Sequence, residues 1–315
     1  MKISAPDAAN GGDNDVKRRI LSLFLVAAAL VLLLSGCAKK ETAVTARPLK
    51  EDEIEKDHGI PVIVNECCAP CEGDDPLALT GIENVMRIAY VLQHAENYTL
   101  EGHGTVKTKV AFISYTQDVE VYKDYRLGVL LEVDITKSTV KNDAWQTCYV
   151  ENAAMIRGAA DGKSTWDGRN TAWSDGDPDV FTREEYREQY GLFGFELSNY
   201  ILNAETIDSW SEIADNGNGT YTVTVCPNLT AATGDAIRRM KTMGGLDKDP
   251  VFKEAAITLT FDREWRILSL HLEENYSVKL GIINSDNCRA ETDYAYTYGN
   301  ADVSDFPAYF AWYCK

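Results

Sequence analysis

The densest group of reactive side chains is Cys67-Cys68-Ala69-Pro70-Cys71. Cys68 and Cys71 have the spacing of redox dithiols, a chemistry that needs one thiol made acidic by the positive N-terminus of a helix. Here Pro70 and the acidic sequel Glu72-Gly73-Asp74-Asp75-Pro76 argue against a helix and would raise the thiol pKa. A zinc site would need a fourth soft ligand, with His58 the nearest imidazole in sequence. Structural disulfides are the favoured reading, and a dithiol redox protein is the lesser alternative. Asp175, Asp177 and Asp179 alternate as calcium ligands do. A twelve-residue calcium loop, however, needs Gly at its sixth position and Glu at its twelfth, where this chain has Val180 and Tyr186. A solvated loop is expected there.

Hydrolytic and nucleotide chemistry is thinner still. The chain contains no G-x-S-x-G, no H-E-x-x-H and no Gly-rich phosphate loop. His58, His94, His103 and His271 are scattered one per element and read as solvent-facing or hydrogen-bonded. No catalytic residue, no metal and no cofactor is therefore assigned. Composition points the same way for nucleic acid: the formal net charge of -18 repels polyanions and keeps the chain soluble near a membrane.

One cysteine stands apart. Lys17-Arg18-Arg19 precede fifteen residues, Ile20 to Leu34, that are apolar apart from Ser22. As a helix this run reaches only about 22 Å, short of the roughly 30 Å hydrocarbon core, which is signal-peptide length. It ends in Leu34-Ser35-Gly36-Cys37, which resembles the lipobox of bacterial lipoproteins. The resemblance implies cleavage before Cys37, a diacylglyceryl group on its thiol within an anchor of at least two palmitate-type acyl chains, and an extracytoplasmic location at the cell membrane. Two acyl chains hold a protein where one releases it. Residues 1–36 carry four basic and three acidic side chains, so the mature chain would stand at -19 instead of -18. Outside the cytoplasm disulfides persist. Cys67, Cys68, Cys71, Cys148, Cys226, Cys288 and Cys314 are then candidates for disulfides or free thiols, and because seven is odd, one is left over or pairs between chains.

Three segments are expected. Residues 1–36 are the signal peptide, 37–75 the lipidated N-terminus, flexible tether and Cys-rich segment, and 76–315 one α+β domain. Within the tether, a short strand is read at Ile60 to Val64. Thr80-Gly81-Ile82-Glu83 has capping-box spacing, and Ile82, Val85, Met86, Ala89 and Leu92 place one apolar stripe on the helix it opens. From Tyr98 to Arg157 the period changes to two, in runs such as Val129, Leu131, Val133 and Ile135, with breaks at Asp124 and Asn142-Asp143. This predicts an antiparallel meander, with Gly102 and Gly104 marking a bulge or sharp coil in its first strand. A hairpin is read at Asp161 to Trp173, ahead of the solvated loop. Thr182-Arg183-Glu184-Glu185 is a second capping box, opening a helix that Gly191 stops, and a further short helix is read over Phe195 to Leu202. Asp215 to Gly219 is a turn before a strand at Tyr221, Val223 and Val225, and Thr230 to Met243 is a helix closed by Gly244-Gly245. A final hairpin pairs Ile257, Leu259 and Phe261 with a return from Trp265 bearing Leu268, Leu270 and Leu272 on one face. Tyr294, Tyr296 and Tyr298 are placed at the sheet edge, and Phe306 to Cys314 as a closing segment.

This order of elements behind a lipobox resembles the LolA and LppX group of envelope lipoprotein carriers, with uncharacterised Gram-positive relatives. Tyr190 to Leu202 (YGLFGFELSNYIL) and Met240 to Gly245 running into ITLTFDREWRILSL carry the resemblance. It implies a strongly curved antiparallel sheet, a half-open barrel with helices over one face, around an apolar cavity for acyl chains. The expected function is binding or carriage of a hydrophobic ligand without catalysis, with Ile257, Leu259, Phe261, Leu268, Leu270 and Leu272 as the lining. A sensory lipoprotein that contacts another envelope protein is the alternative.

Overall fold

A computed structural model of the chain describes residues 68–110, 113–126, 128–138, 142–150, 153–158, 178–191, 194, 196–246, 248–280 and 283–299. All belong to the second of two units into which the chain divides, Thr45–Lys315. Cys37, Cys67 and Cys314 lie outside the described residues, as do the readings at Ile60 to Val64, Asp161 to Trp173 and Phe306 to Cys314.

The first helix, α1 (Gly81–Gln93), opens as its capping box dictates. Thr80 Oγ1 accepts from the Glu83 amide at 3.2 Å, and Glu83 Oε2 accepts from the Thr80 amide at 2.7 Å. Its stripe of Val85, Ile88, Ala89 and Leu92 is buried. Five strands follow as an antiparallel meander: β1 (Asn97–Val110), β2 (Ile113–Arg126), β3 (Val129–Ser138), β4 (Asn142–Val150) and β5 (Ala153–Gly158). Asp124 is inside β2 instead of breaking it, and Gly128, at φ +84°, makes the turn. Likewise, Asn142 and Asp143 begin β4. After β6 (Asp179–Thr182), the second capping box opens α2 (Arg183–Tyr190). Gly191 stops it at φ +83°, where a Cβ would also strike the Asp235 backbone. Residues 196–200 form bends, with no helix among the described residues of Phe195 to Leu202. Tyr200 is tied there by the Ser198 hydroxyl, which takes its amide at 3.2 Å, and side chain to backbone bonding of this kind competes with a helical ladder.

The second half adds β7 (Ile207–Trp210), β8 (Ala214–Asp215), β9 (Thr220–Pro227), the single turn α3 (Leu229–Ala232), α4 (Gly234–Gly244), β10 (Val251–Asp262), β11 (Ile267–Leu280) and β12 (Ile283–Tyr298). The helix read over Thr230 to Met243 is thus divided at Thr233, whose hydroxyl bonds back to Leu229 O. The result is a 12-stranded, wholly antiparallel sheet in the order β6-β5-β4-β3-β2-β1-β12-β11-β10-β9-β7, with β8 paired to β9. Among the described residues it does not close: β6 and β7 are its two ends.

Two placements differ from expectation. The tyrosine strand β12 is at the centre, where it joins the meander to the terminal hairpin by pairing with both β1 and β11. Alternating tyrosines suit an edge and a centre equally, and only a partner on each side settles the matter. The other concerns Gly102 and Gly104. β1 pairs in unbroken register with both neighbours, so neither glycine marks a bulge. They are small because side chains of β12 lie over them: a Cβ on Gly102 would stand 2.6 Å from the Tyr294 ring, and one on Gly104 would collide with Thr292. A bulge does occur in the terminal hairpin, where the register shifts between Thr260↔Ser269 and Phe261↔Ile267 and leaves Leu268 as the extra residue. Trp265 precedes it in the turn at φ +58°, held by its indole N–H, which donates to buried Asn84 Oδ1 at 2.7 Å.

Apolar clusters occupy both faces of the sheet. The larger joins α1 to Leu100, Val121, Leu130, Tyr149, Val223, Ile257, Leu259, Phe261 and Leu270; its side of the sheet is the inner face. The smaller, on the opposite face, is built on Val133, Ile135, Ala144 and Cys148, with Val129 and Leu131 packed on it. The apolar alternation read in β3 therefore points away from the main core, and β3 turns Glu132 and Asp134 inward.

Candidate ligand cavity

A cavity of about 380 Å³ lies between the inner face and the segment formed by residues 196–199 and α4. The volume falls in the range of small-molecule pockets. One wall is apolar, with Leu100 and Val106 of β1, Leu270 and Leu272 of β11, and Met240 and Met243 of α4. The methionines get there because α4 keeps Ala236, Ile237, Met240 and Met243 on one side, and Gly245 ends the helix in the left-handed conformation at φ +67°.

The other wall is charged. Register brings Lys123 of β2 opposite Glu132 of β3, and Val121 opposite Asp134. Arg239 reaches down from α4, its Nη2 donating to Glu132 Oε1 and to Asp134 Oδ2, each at 2.7 Å. Lys123 Nζ stands 3.8 Å from Glu132 Oε2 and donates to the Gly194 carbonyl at 3.0 Å. Burial opposes the Glu132 charge, but the two cations beside it outweigh burial and hold the carboxyl at about 2. At Asp134 burial prevails over the pull of Arg239 and Lys123, the neighbouring Glu132 charge adds to it, and the carboxyl is lifted to about 7. A third carboxylate, Glu196, is 6% exposed and 3.9 Å from Arg187 Nη2, beyond hydrogen-bond reach. Burial lifts it to about 7, against the pull of Arg187. Arg187 is committed at 3.2 Å to buried Asp235, which also receives Arg238 at 2.6 Å. Behind this wall the Tyr149 and Tyr186 hydroxyls lie 3.0 Å apart, their rings edge to face.

Of the lining expected from sequence, Leu270 and Leu272 are on the cavity wall. Ile257, Leu259 and Phe261 are fully buried and belong to the core beside the cavity, not to its lining. Leu268 is half-buried at the bulge, and Ile267 takes the core position instead. The charged wall was missed altogether. Its signal was the polar alternation Glu132, Asp134 and Thr136 in β3, which ordinarily marks a solvent face.

The described cysteines do not gather at one site. Cys288 is buried on the cavity wall, receiving the Thr108 hydroxyl at 3.2 Å; Cys148 belongs to the opposite face, Cys226 is half-buried near the end of β9, and Cys68 is half-buried against the main cluster. Among the described residues Cys71, Cys226 and Cys288 are free thiols. Cys71 is exposed, no α-helix opens at Cys68, and the Cys71 amide is taken by Asp74 Oδ2 at 2.7 Å. His94 Nδ1 lies 2.8 Å from Tyr90 O, and His271 Nδ1 lies 2.7 Å from Asp293 Oδ1 on an exposed face. Among the described residues no group of three or more His, Cys, Asp or Glu side chains is placed to hold a metal ion, and no helix is long and apolar enough to cross a membrane.

No family model matches the chain, and no curated protein matches it. Among solved structures it is similar to a DUF1329 family protein from Desulfovibrio piger, at 10% identity and a TM-score of 0.29 over 75% of this chain and 98% of the other. It is also similar to a LolA superfamily protein from Nitrosomonas europaea, at 6% identity and a TM-score of 0.28 over 72% of this chain and 98% of the other. Overlaps this loose carry no argument about function, and the reading of the site rests on its own geometry.

Proposed function

We propose that the protein is a lipoprotein, anchored through Cys37 on the extracytoplasmic face of the membrane, that binds or carries a hydrophobic ligand, an acyl chain or lipid, without covalent chemistry. The observation that carries this reading is the apolar wall: leucine, valine and methionine side chains that a packed core would enclose face an open space of about 380 Å³ instead. Trp145 of β4 and Leu270 of β11 both line that space although they stand five strand steps apart, about 24 Å on a flat sheet at roughly 4.8 Å per step. A sheet curled into a half-open barrel accounts for the shared cavity, with α4 across its mouth.

Native mass spectrometry on the full chain purified from membranes tests the proposal. A diacylglyceryl mass should persist on Cys37 after denaturation, and a second, non-covalent lipid should be lost on denaturation. A chain that carries no releasable lipid, and that takes up none when incubated with fatty acids, amines or alcohols of matching length, would overturn the carrier reading.

A further inference from the structure

Three carboxylate oxygens on the charged wall of the cavity lack a hydrogen-bond donor. Glu132 Oε2 and both oxygens of Glu196 are buried with no hydrogen-bond partner among the described residues, and both side chains line the cavity. Their exposures are 1% and 6%. A buried carboxylate oxygen left without a donor is costly, more so than a neutral group in the same position. The hydrogen bonds of the cations nearby go elsewhere: Arg239 is divided between Glu132 and Asp134, Lys123 donates to the Gly194 carbonyl and stands 3.8 Å from Glu132 Oε2, and Arg187 is bound to Asp235 and stands 3.9 Å from Glu196. The lining as a whole carries Glu132, Asp134, Asp143 and Glu196 against Lys123 and Arg239, an excess of two acidic groups. An anionic head group, phosphate or fatty carboxylate, would meet acceptors where it needs donors. A metal ion finds no three-ligand group among the described residues. Directly beside these acceptors is the apolar wall of Leu270, Leu272, Met240 and Met243.

We infer that the cavity selects an amphiphile with a protonated amine head, its N–H groups donating to Glu132 Oε2 and to the Glu196 carboxylate while its tail lies along Leu270, Leu272 and the α4 methionines. This rests on the carrier reading above and narrows it to a ligand class. Selection has two components. Charge alone favours any cation over an alcohol or a carboxylate, while the orphan oxygens further favour a cation that carries N–H donors. Long-chain amines and lipids bearing a free amino group share this chemistry.

Four probes of one chain length separate the components: decylamine, decyltrimethylammonium, decanol and decanoate, each titrated calorimetrically into the full-length protein below its micelle concentration, near neutral pH and at physiological salt. Decylamine should bind roughly tenfold tighter than decyltrimethylammonium, which has the same charge and tail but no N–H, and tighter again than decanol, with decanoate weakest. Glu196→Gln should erase most of the amine preference and leave the decanol affinity where it was. Because the formal charge of -18 attracts any cation, the comparison of the two ammonium probes decides the matter in the wild-type protein even if the variant does not fold. Equal binding of decylamine and decyltrimethylammonium, or decanoate binding as tightly as decylamine, overturns the amine assignment while sparing the carrier reading. Failure of all four to bind overturns both.

Discussion

Glu132 and Glu274 are the same residue on the same inner face of one sheet, and their carboxyls are displaced in opposite directions. Glu132, on the meander half, faces Lys123 and Arg239, and those two cations hold it at about 2 despite burial. Glu274, on the hairpin half, has one neutral partner, the Tyr200 hydroxyl donating at 2.7 Å. Burial lifts it to about 7, and the tyrosine bond offsets only part of that rise. The two halves were built differently. From β9 to β11 the inner rows read Val225, Ile257, Leu272 and Val223, Leu259, Leu270, all apolar and paired across strands. Across β1 the rows change character, to Val121 beside Asp134 in the row of Gly102 and Lys123 beside Glu132 in the row of Leu100. Such a surface suits a ligand with two ends, and each half is open to its own test.

The largest effect is expected from taking the arginine out of the charged half. Arg239→Met leaves buried Glu132 and half-buried Asp134 with Lys123 as the remaining cation, and breaking a buried ion pair from one side costs about 3–5 kcal/mol. Urea unfolding measures it. Adding Glu132→Gln and Asp134→Asn to Arg239→Met should recover a large part of the loss, because the three groups act as a unit. A single-variant loss below about 1 kcal/mol, the size of an exposed pair, would mean the wall is solvated and the contrast between the halves is wrong.

A smaller effect separates core from cavity within the apolar half. Leu259 is fully enclosed, and Leu259→Ala should cost about 3 kcal/mol by leaving a void among close-packed neighbours. Leu272, its neighbour one ladder step away on the cavity wall, already lacks contacts on one side, so Leu272→Ala should cost only about half as much. Tail binding should respond in reverse, weakening in Leu272→Ala and not in Leu259→Ala. Equal destabilisation by both would mean that no cavity exists behind Leu272.

The same contrast explains what could be read from sequence. Local signals were legible: both capping boxes, the five-strand meander, the Asp215 to Gly219 turn and the terminal hairpin each depend on residues within a few positions of one another. What escaped depends on distance in the chain. The pairing of β1 with β12 joins Tyr98 to Tyr298, and nothing in either strand names the other. The charged wall joins Lys123, Glu132 and Arg239 from three elements. Period two also shows that a strand has two faces without saying which one is inside. In β3 the apolar face, Val133 and Ile135, serves the smaller cluster, so the polar face became the cavity wall. Leu268 escaped for a third reason: one extra residue in a bulge exchanges faces for everything on one side of it.

The smallest effect is also the most specific, since it opposes the two glutamates through pH. Glu274 binds its proton more tightly folded than unfolded, so its contribution to stability is complete below its ordinary value of 4.5 and is lost as pH rises through about 7. Glu132 binds its proton less tightly when folded; its contribution is complete above 4.5 and is lost as pH falls toward about 2. Glu274→Gln keeps an acceptor for Tyr200 but removes the titration, so its unfolding free energy should decline less than that of wild type between pH 4.5 and about 7. Glu132→Gln should instead flatten the acid side of the profile, below 4.5, while lowering stability at neutral pH because it uncouples Arg239. Asp134 and Glu196 are also lifted to about 7, so wild type should keep some decline after Glu274 is neutralised. Unfolding measured in urea at a series of pH values decides it. Profiles for Glu274→Gln and wild type that run parallel from 4.5 to 7 would mean that burial does not govern the Glu274 carboxyl, and the contrast between the two glutamates would fail.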